Sequence, residues 1–329
     1  MVARGRLRRR GNSVKEFVVH VGLHKTGSTL IQRMLGKVSE ELAEQGVLLR
    51  PRVDLYKVAG FSKVVRTFHR GAKVGPARLK DVSERTRAFL LEHDFERVLT
   101  SDETLLGWRL DFDYPGGAYM SGLPALRWLH DLVVEHMSVR VVMYVRRQDR
   151  FLESVYLQQV HEGSLQTFAE WFSSKDARRF DWLDLAVGAE AIVGKDQLVV
   201  RPFEMISAGP VSFCEDFIRI IDPTLDVQLP TEEITKIAGQ ANRSLSGRGL
   251  EIAQHVYPVL TAEEKLIFRR KFIQRYFSNQ QYERAKLFSP EQAAHVRQLH
   301  VEGNTELFHR FMPDLDPTEL GYLESGSDS

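Results

Sequence analysis

The chain has 329 residues, 43% hydrophobic and 27% charged, enough apolar material for one large globular domain or two modest ones. Its net charge of +1 excludes a surface coated in positive charge for non-specific nucleic-acid binding. Its single cysteine, Cys214, excludes an intrachain disulfide framework, argues against a cysteine-based zinc site, and suits a reducing compartment.

Arg4, Arg6, Arg8, Arg9 and Arg10 open the chain with no apolar run behind them. Residues 1–14 therefore read as a disordered basic tail and not as a secretory signal, and a cytoplasmic location is expected. No stretch approaches the roughly 20 apolar residues of a spanning helix.

Phe17 to Val21 is an apolar, β-branched run, a first strand, and it meets the turn Gly22-Leu23-His24-Lys25-Thr26-Gly27. Beyond the turn, Leu30, Ile31, Met34, Leu35 and Val38 recur at helical spacing. A strand, a glycine turn and a helix N-terminus together make an anion site, because first-turn N–H groups lack intrahelical acceptors and the helix dipole adds to them. Lys25 supplies a full charge there, and Ser28 and Thr29 supply hydroxyls. Gly22 and Gly27 have the spacing of the nucleotide-hydrolase loop G-x-x-x-x-G-K-[ST], but Ser28 occupies the lysine place and Lys25 lies two residues before Gly27.

Gly46 to Leu49 reads as a second strand. Residues 51–76 look irregular, with Arg52, Tyr56, Phe61, Arg66, Phe68 and His69 among interleaved basic and aromatic positions, the pattern of a binding loop or of an ordinary solvated one. Lys80 to His93 is expected to be helical, and Arg97 to Ser101 a third strand ending in Asp102-Glu103. A loop at Tyr114-Pro115-Gly116-Gly117 precedes a helix over Leu123 to His136. Val139 to Val145 is the strongest strand, and helices are expected over Asp149–Val160, Leu165–Ser173 and Phe180–Glu190. Gln197 to Phe203 is a fifth strand, stopped by Pro202. From about residue 211 the pattern is helical, with Leu250, Ala253, Val256 and Tyr257 expected in the core.

Strands alternating with helices predict an α/β fold: a parallel β-sheet flanked by helices on both faces, in one domain over residues 15–322, with a frayed tail over 323–329. Ligands of such sheets bind beyond the carboxyl ends of the strands. That rule brings the 22–29 loop, Ser101-Asp102-Glu103, Arg146-Arg147 and Phe203-Glu204 to one rim. Arg146 leaves the fourth strand, and Ser154 stands one turn into the following helix, away from its apolar stripe. Such a pair suits a second phosphate; a solvated arginine turn would give the same pattern.

Together these two stretches resemble the sulfotransferases that use 3′-phosphoadenosine-5′-phosphosulfate (PAPS). Lys25-Thr26-Gly27-Ser28-Thr29 is similar to that family's first motif, and Arg146 with Ser154 eight residues on, followed by Tyr156, to its second. Val200-Arg201-Pro202-Phe203-Glu204 is similar to a strand end of its bacterial members. The resemblance spans roughly residues 15–220 and departs in two places. Arg146-Arg147-Gln148 stands where many members have Arg-x-Pro, and the C-terminal Arg/Lys-x-Gly loop is absent, with Arg243, Ser244 and Arg248 as a candidate replacement.

The resemblance implies in-line sulfuryl transfer from PAPS to an acceptor hydroxyl or amine, a carbohydrate or other small metabolite, without a metal. It implies that Lys25 stabilises the leaving phosphate oxygen, that His24 and Thr26 to Thr29 surround the 5′-phosphate, and that Arg146 and Ser154 hold the 3′-phosphate, with Arg243 beside them. Glu103 is the first candidate for the general base, with His69 and His24 as alternatives. A P-loop kinase using Asp102 for magnesium, or a catalytically silent binding module, remain as other readings. The helical region after Val211 could form a lid or a homodimer surface.

Overall fold

A computed structural model describes residues 15–107, 117–175, 180–241 and 244–324. The basic tail, most of the 114–117 turn and Arg243 lie outside the described residues. Five strands, β1 (Glu16–Gly22), β2 (Val47–Leu49), β3 (Arg97–Ser101), β4 (Ser138–Val145) and β5 (Leu198–Pro202), form one sheet in the order β2-β3-β1-β4-β5. Every pairing is parallel. All seven residues of β1 are buried, as expected for a central strand covered on both faces.

The strand period of two divides the core. Phe17, Val19 and Val21 of β1, with Val139, Val141, Met143 and Val145 of β4, pack into one cluster. Val18, Val142 and Tyr144 point the other way, onto Leu30, Ile31, Met34 and Leu35 of helix Ser28–Lys37. Phe213, Phe217 and Ile221 of helix Pro210–Ile221 complete that second face. The α/β sheet with helices on both sides is therefore present, and its alternating side chains are the reason both faces are apolar.

The expected irregular segment 51–76 is mostly helical, with helices Arg52–Leu55 and Phe61–His69. Phe61, Val64 and Val65 are buried, and Phe61 and Phe68 both pack against Trp128. These two rings belong to the core and are not open for stacking on an acceptor. The stripe Ala253 and Tyr257 is buried, with Leu250 packed against it, as the spacing predicts. No helix of the described residues is long and apolar enough to cross a membrane.

Candidate active site at the strand ends

The β1 turn closes on itself. Lys25 has φ 66° and Gly27 φ 86°, the left-handed region that glycine enters without penalty and lysine does not. Thr26 is fully buried, and its hydroxyl donates to the Leu23 carbonyl at 2.6 Å. Its side chain therefore shapes the loop and does not line the cavity, contrary to a direct phosphate-binding role for that hydroxyl. Gly27 caps helix Ser28–Lys37 with no side-chain cap and no acid in the first turn, so the helix end keeps its positive potential. A Cβ on Gly27 would meet the Phe203 ring at 3.1 Å, so only glycine lets the two approach.

Above this turn lies a cavity of about 570 Å³. His24, Lys25, Gly27, Ser28 and Thr29 form its floor, and Arg146 and Ser154 form one wall. The rim rule thus brings the two sequence motifs together. Phe203 also lines the cavity, but Glu204 does not. Glu204 instead accepts from the Arg147 N–H at 3.1 Å and from the Tyr322 hydroxyl at 2.8 Å. Arg147 is likewise turned away, pairing with Asp149 through two bonds.

Arg146 is 9% exposed. Its Nη1 donates to the Lys25 carbonyl at 2.9 Å, its guanidinium sits 4.8 Å from the Phe203 centroid, and its Nε is buried without a partner. Lys25 Nζ donates to Gln158 Oε1 at 2.6 Å, and Gln158 Nε2 donates to Glu162 at 2.9 Å. Gln158, His161 and Glu162 were not singled out from the sequence, although they follow Ser154 at four, seven and eight residues on the same helix face, a spacing that could have found them. Arg284 and Asn279 also line the cavity and carry no local motif.

Burial governs the electrostatics of the cavity. Burial first, then Arg146, lowers the Lys25 ammonium to about 8, with Arg284 adding to the shift and Glu162 opposing it. Burial and then Arg284 bring Arg146 down to about 10, and Arg284 is itself lowered by burial and Arg150. His161 falls to about 4 through burial, Lys25 and Arg269. Three cations crowd one desolvated space, and the carboxylates that oppose the shifts, Glu162 at Lys25, Glu204 at Arg146 and Glu153 at Arg284, do not offset the cost of burial.

The base candidates separate clearly. His69 does not line the cavity; it lies on helix Phe61–His69, and its Nε2–H donates to the Leu105 carbonyl at 2.8 Å. His24 donates its main-chain N–H to the Tyr119 hydroxyl at 3.0 Å, and its Nδ1 is 3.0 Å from the same oxygen. The fully buried Tyr119 hydroxyl then needs an acceptor, which Nδ1 supplies, leaving the proton of the neutral ring on Nε2. Burial chiefly lowers the His24 pKa, with Lys25 a smaller contributor and Glu103 opposing. Glu103 lines the cavity, with one oxygen accepting from Arg52 at 2.8 Å and the other from Gln32. Asp102 does not line it; its Oδ1 accepts from the Thr104 N–H and hydroxyl and pairs with Arg52 at 3.3 Å.

No family model and no curated protein matches the chain. Among solved structures, its trace is similar to a sulfotransferase from Alicyclobacillus acidocaldarius, with TM-score 0.43 and 10% identity, covering 91% of this chain and 98% of that one. It is also similar to mouse sulfotransferase SULT7A1 complexed with PAP, with TM-score 0.37 and 15% identity, covering 91% and 86%. Likeness at this level is one of chain trace alone.

Proposed function

We propose that the chain transfers a sulfuryl group from PAPS to an acceptor hydroxyl. The observation that carries this reading is the convergence of Lys25, Arg146 and Arg284, each lowered by burial and by a neighbouring cation, around an uncapped helix N-terminus. Such a cavity is electrostatically incomplete until a polyanion enters it. The residues fit a bisphosphorylated donor. The Gly27 to Thr29 turn would hold one phosphate, and Arg146, Ser154 and Arg284 the second. Arg284, with Ser244 and Asn279 beside it, replaces the C-terminal loop that the sequence lacks; Arg243 lies outside the described residues.

The donor supplies an activated sulfuryl group. Lys25, held by Gln158, would neutralise the charge that grows on the departing phosphate oxygen, a contribution realised mainly in the transition state. Glu103 is the group placed to take the acceptor proton, and its ion pair with Arg52 fixes the carboxylate's position. His24, as an Nε2–H donor, would orient an oxygen rather than abstract a proton. Asp102 is 1% exposed and does not line the cavity, so it is not placed to hold magnesium for a kinase.

The test is calorimetry with adenosine 3′,5′-bisphosphate alongside ATP and magnesium. Tight bisphosphate binding with weak, metal-indifferent ATP binding supports the reading. The reverse preference refutes it, as would wild-type transfer rates in Lys25→Ala.

A further inference from the structure

A helical segment over residues 262–276 stands largely outside the core. Helix Ala262–Phe268 runs through a wider turn, Arg269–Ile273, into helix Gln274–Tyr276, and Ile273 alone of these residues is buried. Leu266 is 40%, Ile267 50%, Phe272 41% and Tyr276 49% exposed. The rings are continuous. Phe272 meets Phe268, Tyr276 and Phe277 with centroids 5.0, 5.8 and 5.5 Å apart, and Phe277 stacks on the exposed Tyr282. Single exposed apolar side chains are ordinary, whereas a joined set marks a surface that meets a partner.

The cations of the segment fall into two groups. Arg269 donates to the His161 carbonyl at 2.6 Å and Lys265 to the Gly163 carbonyl at 3.5 Å, so both tie the segment to the end of helix Gln148–His161. Arg270, Lys271 and Arg275 are exposed, and none pairs with a carboxylate among the described residues. Arg275 lies over the Tyr276 ring at 5.3 Å, and the exposed Arg248 over Tyr282 at 4.7 Å. Positive charge therefore borders the exposed rings directly.

We propose that this segment docks the protein on an anionic lipid surface. Aromatic and aliphatic side chains that enter the boundary between headgroups and acyl chains, flanked by free cations, are the chemistry of an interfacial helix. Negative headgroups complement Arg270, Lys271 and Arg275. The whole chain carries a net charge of only +1, so attraction to such a surface has to come from a local cluster. Leu266 and Ile267 have no ring on which a nucleic-acid base could stack. A second copy of the chain is a poorer match: Glu264 closes a capping box with Thr261, which leaves Glu263 as the segment's one free acid against three free cations. Docking of this kind is independent of the transfer reaction. Because His161 and Glu162 line the first cavity, it would bring that cavity beside the membrane.

The experiment is co-sedimentation of the full chain with phosphatidylcholine vesicles, with and without phosphatidylserine. The wild type should bind the mixed vesicles, come off as salt is raised, and leave phosphatidylcholine alone unbound. Two double variants separate the contributions. Arg270→Ala with Lys271→Ala removes charge, and Leu266→Ser with Ile267→Ser removes apolar reach. All four side chains are exposed, so denaturant melts should match the wild type. Each variant should weaken vesicle binding about tenfold or more.

Arg4, Arg6, Arg8, Arg9 and Arg10 are attracted to the same vesicles, so the comparison within the full chain is what decides. Undiminished binding in either variant, no binding by the wild type, or equal binding to uncharged vesicles overturns the assignment. So does a concentration-dependent dimer, seen by ultracentrifugation and abolished by both variants, which would give the surface to a second copy of the chain.

Discussion

Anion binding at Lys25 should be accompanied by proton uptake, and the amount follows from the structure. The Lys25 ammonium is lowered to about 8, first by burial and then by Arg146. A phosphate or sulfate oxygen about 4 Å away at an effective dielectric of about 20 contributes roughly 4 kcal/mol, or about three pKa units at 1.36 kcal/mol each. The bound-state pKa then lies near 11. The free protein carries this proton in about nine tenths of molecules at pH 7, half at pH 8 and one tenth at pH 9, so binding should take up about 0.1, 0.5 and 0.9 proton respectively.

The sign is fixed by linkage: the complex binds more protons, so affinity is full below the free pKa and falls as pH rises above it. Between pH 7 and 9 the dissociation constant should rise about tenfold, and about tenfold more by pH 10. The phosphates titrate near 6 and add nothing above pH 8. The assay is bisphosphate calorimetry at pH 8 and 9 in two buffers of different ionisation enthalpy, whose difference in observed heat counts protons directly. Lys25→Met should abolish the uptake. Tight binding without uptake at pH 9, or an affinity flat from pH 7 to 10, would refute the claim that the cation cluster is the anion site.

Three further perturbations test the parts. Arg146→Ala should weaken bisphosphate binding about a hundredfold, on the scale of a buried charge-assisted bond at roughly 2–3 kcal/mol, and Arg146→Lys should not restore it because the planar fork over Phe203 is lost; calorimetry reads both. Gly27→Ala forces a Cβ into φ 86° and against Phe203, which should cost about 1–3 kcal/mol in a denaturant melt and reduce bisphosphate binding more than stability. Tyr119→Phe removes the donor that fixes His24; nitrogen NMR should then show the neutral His24 ring losing its single Nε2–H form, with a stability loss of about 1–2 kcal/mol.

Much of the fold was legible because its signals are local. Each strand is a short apolar run between polar turns, and β3 begins and ends where the pattern predicts. That the two candidate motifs meet at one cavity was legible for the same reason: Lys25 to Thr29 are contiguous, and Arg146 and Ser154 are one strand end and one helical turn apart. Segment 51–76 misled because its basic residues mask the helical spacing of Phe61, Val64, Val65 and Phe68, three of which are buried. Thr26 misled in a different way. Its type suits a phosphate, but its hydroxyl is consumed by the Leu23 carbonyl, a bond that no residue pattern announces.

The chain alone was enough to expect a strand, a glycine turn and a helix N-terminus to meet in a candidate site at the carboxyl edge of a parallel sheet, since backbone geometry and side-chain period act over a few residues. Only the tertiary structure decided what completes that site. It brought Arg284 beside Arg146 from 138 residues away, tied Glu103 to Gln32 and Arg52, set Tyr119 under His24, and left His69 outside. These contacts depend on how whole helices pack on the sheet, and packing sums many weak contacts that no single stretch of sequence contains.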